Sequence, residues 1–114
     1  MSQSQLEAQL ALMVRCVGLP EPVQQYRLPE LPDRRYRFDF AWVKERLLVE
    51  VNGSTWVSNT GHTSGRGIER DTEKANLAVL AGYRLLTVTG TQVKDGRAIG
   101  WIEQALCQGK IPQS

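Results

Sequence analysis

The sequence predicts an α/β domain in which a mixed β-sheet, built around a central β-hairpin, is flanked by helices in the order α-β-β-α-β-α. Three observations support this fold class. Apolar residues near the N-terminus recur at helical spacing, and two consecutive segments in the middle of the chain alternate between apolar and polar residues. A helical segment then precedes a third, mostly apolar strand.

The first helix is predicted over residues 4–17, where the apolar side chains share one face. Gly18 follows directly, as glycine commonly does where a helix ends. Residues 20–33 contain four prolines and are expected to connect the helix to the sheet. At most a short strand is expected within them, at residues 24–28.

The hairpin is predicted from a change to a period of two residues. One strand begins at Arg35 and places its aromatic side chains on a single face, namely Tyr36, Phe38, Phe40 and Trp42. Residues 46–52 form the second strand. The segment 53–67 is rich in Gly, Ser, Thr and Asn and lacks periodicity, so a functional binding loop is expected there.

The second half of the chain is predicted to form helix 68–81, strand 83–89 and helix 98–106. Charged residues dominate the first half of helix 68–81 and apolar residues the second, and Gly82 follows as a cap. The charged half must therefore be solvated or lie at a site.

Length and composition indicate one domain, residues 1–110, followed by a disordered tail at 111–114. A chain of 114 residues with 41% hydrophobic and 23% charged residues is typical of a globular protein that folds without metal or disulfide links. The N-terminus lacks the features of a signal peptide and no segment is apolar enough to span a membrane, so a cytoplasmic location is expected. Cys16 and Cys107 lack metal-site spacing and are expected to be buried thiols.

Two acidic residues on the hairpin are predicted to face each other. If Lys44 and Glu45 lie at the centre of the turn, Asp39 pairs with Glu50, and a turn of two or four residues gives the same pairing. Like charges directly opposite each other are destabilising unless a cation lies between them. Both residues are also flanked by apolar residues, where an unpaired charge is costly.

Asp39 and Glu50 are therefore interpreted as ligands of Mg²⁺ or Mn²⁺, which prefer oxygen ligands. The alternative is a cross-strand salt bridge to Arg35, Arg37 or Arg46. That alternative is favoured for a single acid, whereas two opposed acids beside a polar loop favour the metal.

Four consecutive segments carry a recognisable pattern. They are a strand (RFDFAW), a second strand (LLVEVNG), a loop with a helix (GHTSGRGIERDTEKAN) and a third strand (GYRLLTVTG). Together they resemble the PD-(D/E)XK nuclease superfamily, particularly its compact Vsr-like and phage-borne endonuclease-like proteins, over about residues 35–106. The resemblance implies a restriction-endonuclease-like fold and a metal-dependent DNA endonuclease. It also implies that Asp39, Glu50 and the carbonyl of Val51 bind the metal.

One position departs from the family pattern, because Asn52 occupies the place that usually holds lysine. Some members carry this cation on the following helix, and Lys74 is the corresponding candidate here. Arg70, one helical turn earlier, could equally stabilise charge on the phosphorane. The alternative for Lys74 is an ordinary surface lysine.

The resemblance also suggests catalytic roles for Glu7, as an acid that orients water or a second ion, and for His62, as a general base or phosphate contact. A surface glutamate and an ordinary loop histidine are the respective alternatives. Trp56 either stacks on a base or wedges into a groove, or, as is favoured, anchors the loop in the core.

Basic residues are clustered although the net charge is only +2. Arg35, Arg37, Arg66 and Arg70 are candidates to position a DNA backbone, with solvated surface charge as the alternative. A chain this short is expected to recognise DNA structure, such as a junction, nick, flap or mismatch, or to act as a homodimer. The competing functions are an inactive DNA- or protein-binding module and a metal-independent structural protein.

Overall fold

The computed structural model describes residues 2–32, 34–52 and 65–108. Four helices and four strands follow in the order α1 (Gln3–Cys16), β1 (Val23–Tyr26), β2 (Phe38–Trp42), β3 (Leu47–Asn52), α2 (Gly65–Leu80), β4 (Arg84–Thr89), α3 (Gly90–Lys94) and α4 (Arg97–Gln108). The predicted α/β class is confirmed. The order differs from the prediction because β1 forms in the proline-rich connector and the short helix α3 follows β4.

The four strands make one mixed sheet in the order β1-β2-β3-β4. The pairs β1/β2 and β2/β3 are antiparallel, whereas β3 and β4 are parallel and are connected through α2. Three consecutive residues of β3, Leu47, Leu48 and Val49, are all fully buried. Strand β3 is therefore covered on both faces, as expected for a strand in a parallel pair.

The predicted hairpin register is confirmed. Pairing of Phe40 with Val49 and of Trp42 with Leu47, continued by one residue, places Asp39 opposite Glu50. The connection is a four-residue turn, closed by a hydrogen bond of 3.1 Å from the Arg46 N–H to the Val43 carbonyl.

Two apolar cores lie on opposite faces of the sheet. The first packs Phe40 and Trp42 against α1, α3 and α4, whereas the second packs Phe38 against α2 and the connector before β2. The prediction of one aromatic face was therefore wrong, because Tyr36 and Phe38 pack in the second core and Phe40 and Trp42 in the first. Strand alternation breaks at Asp39, whose N–H is bonded to a side chain of β3 instead of a strand carbonyl.

The helices bury one face each and expose the other. Helix α1 begins with a capping box between Ser2 and Gln5 and is followed by Gly18 with a positive φ of 78°. Cys16 and Cys107 are exposed, so their predicted burial was wrong. Both residues lie on the outer faces of helices whose apolar residues point to the first core. Among the described helices, none has the length and apolar character needed to cross a membrane.

Candidate active site

Asp39 and Glu50 lie where β2 and β3 separate. Beyond the pair formed by Phe40 and Val49, side chains replace the strand-to-strand hydrogen bonds. The Asp39 N–H donates to Glu50 Oε1 at 3.1 Å, and the Val51 N–H donates to Asp39 Oδ2 at 2.8 Å. Each carboxylate therefore accepts a hydrogen bond from the backbone of the opposite strand, which holds the two acids side by side.

Among the residues that the structure describes, Lys74 is the cation that reaches this pair. It projects from α2, and its Nζ lies 2.9 Å from Glu50 Oε2 and 4.6 Å from the centre of the Phe38 ring. The side chains of Lys74 and Glu50 are only 18% and 24% exposed, so the ion pair is largely shielded from water. Arg46, one of the arginines considered as a partner, instead bonds Glu30 and the carbonyls that follow α2.

Glu7 of α1 also belongs to the site, where two glutamines hold it. Gln3 Nε2 donates to Glu7 Oε2 at 2.8 Å and to the Val51 carbonyl at 2.7 Å. Gln25 Nε2 donates to Glu7 Oε1 at 3.1 Å and to Asp39 Oδ1 at 3.4 Å. Neither glutamine was predicted from the sequence. Helical spacing from Glu7 could have indicated Gln3, but Gln25 carries no sequence signal because its role depends on the pairing of β1.

The described part of the site holds more negative than positive charge. Burial raises the pKa of Glu50 and the charge of Asp39 adds to the rise, while the bond to Lys74 opposes it. Burial also raises the pKa of Glu7, again with a contribution from Asp39. Of the described side chains, three neighbouring carboxylates and one lysine therefore leave an excess of negative charge that a divalent cation would offset.

The donor set suits a small divalent cation. Asp39, Glu50 and the Val51 carbonyl could supply oxygen ligands, and two carboxylates with a carbonyl are a combination that Mg²⁺ and Mn²⁺ accept. Within the described ranges, no group of three or more His, Cys, Asp or Glu side chains has a metal-binding arrangement. The predicted set would therefore rely on two carboxylates, the main-chain carbonyl and oxygens from water or substrate.

Two adjoining clefts border the site at Glu50, Val51 and Lys74. A cleft of about 240 Å³ contains Glu50 and Lys74, and one of about 360 Å³ is lined by exposed arginines. Asp71 and Lys74 line both clefts. The arginines of the second cleft are three of the four predicted to contact DNA, namely Arg35, Arg37 and Arg70.

The other predicted site residues cannot be located in the same way. His62, Trp56 and residues 53–64 of the predicted loop lie outside the described residues, as do the side chain of Arg66 and the tail 111–114. Helix α2 begins at Gly65, three residues before its predicted start. The structure thus brings together Glu7, Asp39, Glu50, Val51 and Lys74.

Comparison with known proteins supports the fold. No protein family and no curated protein that was compared matches the sequence. Among solved structures, the chain is similar to the catalytic domain of the homing endonuclease I-Bth0305I, with a TM-score of 0.67 and 17% sequence identity. The similarity covers 90% of this chain and 94% of that domain. The chain therefore has the fold of a homing endonuclease catalytic domain.

Proposed function

We propose that this chain is a metal-dependent DNA endonuclease of the PD-(D/E)XK type. The observation that carries the proposal is the Asp39 and Glu50 pair, held together by reciprocal backbone hydrogen bonds, with Lys74 at 2.9 Å from Glu50. A shielded, net negative set of oxygen ligands beside a basic cleft suits cation-assisted cleavage of a phosphodiester. The fold similarity to a homing endonuclease domain supports a nuclease, and the mechanism is proposed from the residues of this site.

Asp39, Glu50 and the Val51 carbonyl would hold Mg²⁺ or Mn²⁺, which supplies polarisation of the phosphate and a lowered pKa of bound water. Glu7, held next to Asp39, would orient the water that attacks phosphorus. As the water oxygen bonds to phosphorus, the bond from phosphorus to the 3′ oxygen would break. The water would lose a proton and the 3′ oxygen would take one up, leaving a 5′-phosphate and a 3′-hydroxyl. Lys74 would offset the negative charge that develops on the phosphorane oxygens.

The substrate class is proposed from the second cleft. Arg35, Arg37 and Arg70 are exposed cations around a groove that shares Lys74 with the carboxylate site. Phosphate contacts from such arginines position a DNA strand without reading its bases. Cleavage selective for DNA structure is also part of this proposal. So are DNA contacts by Trp56 and Arg66 and a catalytic role for His62; Trp56 and His62 precede α2, whereas Arg66 lies in its first turn.

The test is nicking of supercoiled and branched DNA in Mg²⁺ or Mn²⁺. We expect metal-dependent nicking by the wild-type protein, and a loss of at least a hundredfold in Asp39→Asn and Glu50→Gln. Glu103→Gln is the matched control, since Glu103 is an exposed acid on α4. An absence of metal-dependent nicking, or equal nicking by all the variants, would refute the proposed endonuclease activity.

A second candidate is a DNA-binding module that has lost cleavage, and Asn52 at the position of the family lysine favours it. This module would bind branched or duplex DNA in EDTA through the arginine cleft. DNA binding by the wild-type protein, without nicking in any divalent metal, would support the module over the nuclease.

A further inference from the structure

Gln25 of the edge strand β1 combines an unusual backbone with an unusual pair of contacts. The pairing of Gln24 with Phe40 and of Tyr26 with Phe38 places Gln25 beside Asp39 in the register. Its φ is +52°, in the left-handed region that is costly for a residue with a Cβ atom. Such strain persists only where the surrounding structure compensates for it, and it is often found at functional sites.

The amide of Gln25 bonds two acids of the site. Gln25 Nε2 lies 3.1 Å from Glu7 Oε1 and 3.4 Å from Asp39 Oδ1, so one NH₂ group donates to two neighbouring carboxylates. Gln3 Nε2 donates to the other oxygen of Glu7 and to the Val51 carbonyl. The two amides therefore join α1 to the ends of β2 and β3 through groups that carry no charge.

We infer that Gln25 is a positioning residue that holds Glu7 against Asp39 before any cation binds. Two carboxylates repel each other, and Gln25 donates to both of them. Without Gln25, Glu7 would keep its bond to Gln3 but would lose this shared donor and shift away from Asp39. Gln25 thereby keeps the acidic set assembled. The effect of Gln25 on catalysis rests on the proposed function, whereas its role in positioning Glu7 does not.

A metal-free double-mutant cycle tests the hold on Glu7. Thermal unfolding in EDTA is compared for wild type, Gln25→Ala, Glu7→Ala and the double variant. We expect Gln25→Ala to lower the midpoint by about 4 °C in the wild-type background and by less than half as much in the Glu7→Ala background. Equal shifts in the two backgrounds would overturn the inference.

The strain has its own test in Gln25→Gly, which removes the amide but accepts a positive φ. We expect this variant to unfold at a midpoint a few degrees above that of Gln25→Ala. If both variants unfold at the same midpoint, the backbone at Gln25 stores no strain.

Mn²⁺ affinity, measured by calorimetry, tests the positioning role. Gln25→Ala and Gln25→Gly should each raise the Kd for Mn²⁺ about tenfold, as expected for a residue that orients metal ligands. The half-maximal Mn²⁺ concentration for nicking should rise in parallel, with the KM for DNA unchanged. Gln24→Ala, which alters the preceding exposed residue of the same strand, is the control and should match the wild type.

The outcomes separate the two proposals. If the wild-type protein binds no Mn²⁺, the proposed function fails and the coupling between Gln25 and Glu7 is still decided in EDTA. If Mn²⁺ binds, Asp39→Asn abolishes binding and Gln25→Ala leaves the Kd unchanged, the positioning role alone fails.

Discussion

Replacing Lys74 by methionine probes the central ion pair while retaining most of the side-chain stem against Phe38. The exchange leaves Glu50 with no cation 2.9 Å from Oε2, in a pair whose side chains are 18% and 24% exposed. Removing one partner of a fully buried pair costs about 3–5 kcal/mol, and an exposed pair contributes about 0–1 kcal/mol. With partial exposure, a loss of about 2 kcal/mol is expected, including the contact with the Phe38 ring.

For a chain of 114 residues this loss corresponds to a fall of about 8 °C in the unfolding midpoint. Because the cost arises from an unpaired charge, Lys74→Met combined with Glu50→Gln should recover about half of it. In nicking assays, Lys74→Met should lower kcat by about 10²–10³, since Lys74 is proposed to stabilise charge in the transition state.

Urea unfolding in EDTA and single-turnover nicking in Mn²⁺ provide the two measurements. Lys94→Met, an exposed lysine in the last turn of α3, is the matched control and should change stability by less than about 0.5 kcal/mol. If Lys74→Met unfolds like the control and nicks DNA at the wild-type rate, Lys74 is a surface lysine and the reasoning is wrong.

Three further outcomes are expected. Because the pKa of Glu7 is raised, its contribution to stability falls as pH rises above about 4.3. The free energy of unfolding of Glu7→Gln in EDTA, relative to that of the wild type, should therefore increase between pH 4 and pH 7, and a constant difference would contradict this. Mn²⁺ should raise the unfolding midpoint of the wild type and of Glu103→Gln but not of Asp39→Asn, and a rise in all three would exclude this metal site. Arg70→Ala should weaken DNA binding and reduce its salt slope by about one, which an unchanged slope would disprove.

Local pattern predicted most of the fold. Helix α1, the hairpin and α2 were all predicted from periodicity and glycine positions, and their bounds differ from the observed ones by a few residues. Strand β1 was expected only as a short segment, and α3 was not predicted. Both lack a strong apolar period, and β1 forms because β2 offers it an edge to pair with.

The faces of Tyr36 and Phe38 were mispredicted because strict alternation holds only in a continuous ladder. At Asp39 the ladder gives way to bonds between carboxylates and backbone N–H groups, and Phe38 packs in the second core under Lys74. Asp39 and Glu50 therefore interrupt the strand alternation from which their own pairing was predicted.

The sequence by itself determined that Asp39 and Glu50 are opposed, because a hairpin register depends only on the position of its turn. Only the tertiary structure decided which groups join them. Glu7, Gln25 and Lys74 come from α1, β1 and α2, and their approach depends on how each element packs on the sheet. Contacts between residues so far apart along the chain arise from long-range packing, which no local period encodes.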